Sequence, residues 1–114
     1  MKQDVYKLSL LFDYYGELLT ERQQTCFDLY YNQDLSLSEI AEQVGISRQG
    51  IHDTLARAES VLQSLEDKTG CVRRDLRVRE AADEIIEAAS RLCSIAIARP
   101  LAEKILSAAD RIKE

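Results

Sequence analysis

Twelve residues in the middle of the chain, SLSEIAEQVGIS from Ser36 to Ser47, contain a helix start, a helix stop and a second helix start. Ser36 and Glu39 have the spacing of a capping box, in which the serine oxygen takes an orphan amide and the glutamate returns to the serine's own amide. Leu37, Ile40, Ala41 and Val44 then share one helical face, and Gly45 ends the run, because glycine enters the left-handed region at little steric cost. Ile46 can then turn inward while Ser47 caps the next helix. From Arg48 to about Lys68, Ile51, Leu55, Ala58, Leu62 and Leu65 recur at steps of 4, 3, 4 and 3, with Gly70 as the stop. A short capped helix, a tight turn and a longer helix make a helix-turn-helix over about 36–68, and few folds accommodate it.

The flanking segments read as helices too. Leu8, Leu11, Phe12 and Tyr15 have helical spacing and meet Gly16, which predicts a first helix of about three turns. Thr20 with Gln23 is another capping box, starting a second helix whose inward face carries Cys26, Phe27, Tyr30 and Tyr31 and which ends at Asn32, Gln33 and Asp34. Beyond Gly70, Val78, Ala82, Ile85, Ala89, Leu92 and Ala96 step along one line. A break is expected near Ala98 to Pro100, then a last helix carrying Leu101, Ile105, Ala109 and Ile112. No segment alternates with the period of a strand. The expected fold is all-α: a helix-turn-helix module without a wing over 1–70 and a C-terminal helical extension over 71–114, five to six helices altogether.

With 114 residues, 46% of them hydrophobic and 31% charged, the chain can bury a core but is too short for two ordinary domains. No run of about 20 apolar residues is present to cross a bilayer, and MKQDVYKLSLLFDYY lacks the small residues of a leader cleavage site. The reading is a cytoplasmic protein with no membrane insertion. Cys26, Cys71 and Cys93 are odd in number and far apart, without a C-x-x-C pair or a second histidine beside His52. They read as reduced thiols rather than metal ligands, with Cys71 the one placed in a linker. One histidine, without a phosphate loop, a carboxylate pair or a nucleophile motif, points away from an enzyme, and no cofactor is implied.

The second helix of the unit carries the chemistry. With Ile51 and Leu55 inward, Arg48, Gln49, His52 and Asp53 occupy the surface that such a helix presents to the major groove, and Arg57 lies a turn further on. Arginine can bind guanine O6 and N7 together, glutamine can do the same for adenine N6 and N7, and aspartate can accept from cytosine. Asp53 also repels phosphates, and its plainer role is an i,i+4 pair with Arg57. The net charge of −5 is uneven: residues 20–70 hold four Lys/Arg against nine Asp/Glu, whereas residues 71–114 hold nine against eight. Arg73, Arg74, Arg77 and Arg79 crowd into RRDLRVR, where they can bind a partner or RNA, or simply pair with Asp75, Glu80, Asp83 and Glu84.

LTERQQTCFDLYYNQDLSLSEIAEQVGISRQGIHDTLARAESVL, Leu19 to Leu62, resembles region 4 of bacterial sigma factors, which reads the −35 promoter element. In that pattern the DNA-contacting positions fall on Arg48, Gln49, His52, Asp53 and Arg57, and this chain has Gly50 and His52 where sigma factors commonly have basic residues. Over more of the chain, LFDYYG followed by LT-x-RQ resembles the YlxM-like family of helix-turn-helix proteins. That resemblance implies a small bacterial regulatory protein associated by gene neighbourhood with the signal recognition particle, the machinery that targets nascent membrane proteins. Two readings result. In one, the chain is a DNA-binding regulator of modest affinity, a homodimer presenting two reading heads. In the other, it is a protein- or RNA-interaction adaptor of the signal recognition particle machinery.

Overall fold

The computed structural model describes residues 5–114, which form six α-helices and no strand. Residues 1–4, the start of MKQDVYKLSLLFDYY, lie outside them. The helices are α1 (Val5–Tyr15), α2 (Glu21–Phe27), α3 (Leu37–Val44), α4 (Arg48–Thr69), α5 (Cys71–Leu92) and α6 (Arg99–Lys113). They divide into two compact units, Met1–Val72 and Arg73–Glu114.

The first unit is built around α4. Its Ile51, Leu55, Ala58 and Leu62 are fully buried, together with Leu11 of α1, Cys26 and Phe27 of α2 and Ile40 of α3. Each large aliphatic or aromatic side chain so buried contributes about 1.5–3 kcal/mol. Phe27 stacks on Phe12 with ring centroids 4.5 Å apart and tilts against Tyr31, also at 4.5 Å. A 3₁₀ turn, Gly16–Leu18, follows α1, and Thr20 then opens α2 with the expected capping box to Gln23.

One feature has no counterpart in the helical periodicity of the sequence. After Phe27 the helix widens into a π turn over Asp28–Asn32, closed by the Gln33 amide on the Asp28 carbonyl. The widening lets three successive residues, Leu29, Tyr30 and Tyr31, all be buried, where a regular α-helix would fan them apart. Asp28 holds the turn by accepting from the Asn32 and Gln33 side-chain amides, each at 2.8 Å. Those two bonds, in that order, hold its carboxyl below the usual carboxylate range.

The second unit is a hairpin of α5 and α6, with the Lys113 ammonium 2.6 Å from the Asp83 carboxylate. The single line of apolar residues read along α5 divides in the structure. Ala82 and Ala89 are buried, as are Ala102 and Ala109 of α6, whereas Val78, Ile85 and Leu92 remain 40–42% exposed. Alanine is small enough to be covered completely by its neighbours, whereas the larger side chains beside it stay partly open. The line also stops earlier than its spacing suggests: α5 ends at Leu92, and Ala96 lies in the turn rather than in the helix. Pro100 is in the first turn of α6, where its missing N–H costs nothing, so the reversal falls before it instead of at it.

Candidate nucleic-acid interface

The turn between α3 and α4 has the predicted construction. Ser36 and Glu39 exchange both bonds of the capping box, at 2.9 and 3.1 Å. Gly45 caps α3 at φ +86° with its amide on the Ala41 carbonyl, and Ser47 caps α4 by accepting from the Gly50 amide at 2.9 Å. Gly50 itself is explained by this cap: a Cβ there would lie 3.1 Å from the Ser47 hydroxyl oxygen and 3.2 Å from Ile46 Cδ1. A residue that disfavours a helix interior is used where the cap crowds the first turn.

With Ile51 and Leu55 at zero exposure, the residues out of phase with them face solvent. Arg48, Gln49, His52, Asp53 and Arg57 are all exposed on the first three turns of α4. Asp53 organises this surface. Its Oδ1 accepts from the Gln49 side-chain amide at 3.0 Å and lies 3.5 Å from His52 Nδ1. The pairing with Arg57 that its spacing allowed is not formed, and among the described residues Arg48 and Arg57 have no hydrogen bond or ion pair. Exposed contacts of this kind are worth at most about 1 kcal/mol, so a ligand can exchange them.

The surroundings are acidic. A surface depression of about 630 Å³ separates Arg48 and His52 from Asp34 and Glu39. The Ser36 backbone amide, and then its hydroxyl, hold the Glu39 carboxyl below its usual range. A phosphate approaching Arg48 therefore passes a fixed negative charge.

The other candidate residues, Arg73, Arg74, Arg77 and Arg79, are exposed on the first turns of α5, in the second unit. Asp83, one expected partner, is taken by Lys113, and Glu87 pairs with Arg91 at 3.1 Å. Arg74, Arg77 and Arg79 form no ion pair among the described residues. Cys71 is not in a linker: it is the first residue of α5 and is half-buried, because the chain passes from α4 to α5 through Gly70 alone.

The interactions that hold α4 in place were not among the candidates. Tyr15 donates to Glu66 at 2.6 Å, Thr69 shares the same hydroxyl, and the Val72 amide at the start of α5 donates to Glu66 at 3.1 Å. Seven residues earlier on α4, Glu59 accepts from the Tyr31 hydroxyl at 2.8 Å. Burial, and then these carboxylates, push both tyrosine pKa values up, so both hydroxyls remain donors. A signal existed: Glu66 falls four residues after Leu62, on the buried face, and a charged residue there requires a partner.

The sequence that builds this geometry is shared with known proteins. The family model described as "Putative helix-turn-helix protein, YlxM / p13 like" matches residues 2–97. A UPF0122 protein of Desulforamulus reducens is 50% identical over 84 residues, 74% of this chain and 72% of that protein. One from Symbiobacterium thermophilum is 45% identical over 100 residues, 88% of this chain and 94% of its own length. One from Acetivibrio thermocellus is 47% identical over 83 residues, covering 73% and 71%. No solved structure matches.

Proposed function

The chain belongs to the YlxM/p13-like family of helix-turn-helix proteins, and on that premise we propose that it is a non-enzymatic regulator that binds DNA through α4 and acts as a pair of copies. The observation that carries this reading is the set of exposed side chains Arg48, Gln49, His52, Asp53 and Arg57, gathered on the amino-terminal turns of a helix held by the Gly45 turn and the Ser47 cap. These turns are the ones a helix of this kind lays against base edges. Two exposed arginines supply the phosphate attraction, while Glu39, Asp53 and the net charge of −5 oppose it, so affinity is modest and steeply salt-dependent. In this reading the regulator works in the company of the signal recognition particle, the association that the family resemblance implies.

A gel shift with a pool of random-sequence DNA duplexes at low salt tests the proposal. The native chain is expected to shift the pool. The triple variant Arg48→Ala, Gln49→Ala, Arg57→Ala is expected to abolish the shift, or to lower the slope of log affinity against log salt by about 2, one for each arginine lost. No shift by the native chain, or an unchanged shift by the variant, overturns it.

A further inference from the structure

The α5–α6 hairpin keeps an apolar seam besides the one it buries. Val78, Ile85 and Leu92 lie seven residues apart and are 42, 41 and 40% exposed, and the exposed Ala81 and Ala88 fall between them. Together they repeat at steps of 3, 4, 3 and 4, the spacing of a helix that packs along its length against another helix. Beside it, α6 leaves Leu101, Ile105 and Ile112 at 66, 40 and 52% exposure. Scattered apolar residues on a surface are ordinary, whereas a continuous line of them on each helix of one hairpin marks an interface.

Charge says what covers it. The first part of α5 carries Arg73, Arg74, Arg77 and Arg79 against Asp75, a balance of +3. From Glu80 to Leu92 it carries Glu80, Asp83, Glu84 and Glu87 against Arg91, a balance of −3. The helix is therefore complementary to itself when reversed, and repels itself when parallel. Arg77 and Glu84 stand on the same flank of the exposed seam, seven residues apart, and neither has an ion pair among the described residues.

We propose that the first part of the seam, through Ile85, is covered by α5 of a second copy of this chain, running antiparallel about a twofold axis between Arg79 and Glu80. The proposal rests on the two-copy reading above and identifies its interface. A large residue meets a small one on either side of the axis, Val78 against the partner's Ala81 and Ala81 against the partner's Val78. Arg77 pairs with the partner's Glu84, and the twofold axis makes that pair twice. Arg74, at the end of the seam, lays its aliphatic stem over the partner's Ile85. The arginine cluster thus has an acidic partner supplied by the chain itself.

Sedimentation equilibrium on the full-length chain tests this. The native chain is expected at the mass of two copies. Arg77→Glu alone and Glu84→Arg alone each set like charges against one another twice, and each raises the dissociation constant by about tenfold. An equimolar mixture of the two variants restores opposite charges at both pairs and returns to the native value. Val78→Asp, beside the axis, gives the mass of one chain with unchanged helical circular dichroism. A native chain that remains single at the highest concentration overturns this interface and the two-copy reading together. A two-chain mass untouched by every substitution overturns the interface alone. A two-chain mass that Val78→Asp dissociates but the charge variants leave unaltered overturns the antiparallel pairing. Co-purifying RNA that Arg77→Glu removes, with the protein mass unchanged, overturns it in favour of a nucleic-acid partner for the arginines.

Discussion

Glu66 is the residue on which the first unit turns. It is 8% exposed, and it holds together the hydroxyl of Tyr15, 51 residues away, and the amide that starts α5. A buried carboxylate is tolerated only when its oxygens are satisfied, so removing a donor costs more than the bond itself. Tyr15→Phe is expected to lower the free energy of unfolding in urea by about 1–3 kcal/mol. Tyr31→Phe, whose partner Glu59 is only half-buried, is expected to lower it by less, because water reaches the carboxylate left behind. Equal losses would show that the burial of Glu66 is not what sets the cost. Tyr15 could be read from its spacing as part of an apolar stripe, but its hydroxyl's partner could not, since nothing local links positions 15 and 66.

At the level of the element, the start and stop signals did most of the work. The Thr20 and Ser36 capping boxes form as their spacing predicts, because capping is satisfied within four residues and is indifferent to the rest of the chain. Gly45 allows a clean test of one such signal. Its φ is +86° and an added Cβ would meet nothing within 4 Å, so a substitution there costs conformation and nothing else. Gly45→Ala is expected to destabilise the chain by about 1 kcal/mol, and Gly45→Asn by distinctly less, since asparagine enters the left-handed region more readily. Matched losses in thermal melts would mean that something other than backbone conformation is at stake. The π turn over Asp28–Asn32 was not legible in the same way: it answers the need to bury Leu29, Tyr30 and Tyr31 together, which is set by what lies opposite them.

For the whole molecule, each unit handles its apolar surface differently. The first encloses a core of large side chains, whereas the hairpin buries alanines and leaves Val78, Ile85, Leu92, Leu101, Ile105 and Ile112 partly open. If two copies cover that surface, assembly is linked to folding and stability depends on concentration. A tenfold increase in protein concentration is then expected to raise the melting temperature by about 3 °C. A melting temperature independent of concentration over two decades, with the chain at the mass of one copy throughout, would contradict the two-copy reading.

The all-helical class, the helix-turn-helix and the outward position of Arg48, Gln49, His52, Asp53 and Arg57 could be derived from the sequence alone. Caps, glycine stops and helical period act over a few residues, and two buried positions on a helix determine which others face out. Tertiary structure decided the rest. It gave Asp53 to Gln49 and His52 rather than Arg57, gave Asp83 to Lys113, divided the α5 line into buried alanines and exposed larger residues, and supplied Tyr15 to Glu66. Spacing allows several partners for a charged or apolar group, and only the packing of distant elements selects among them.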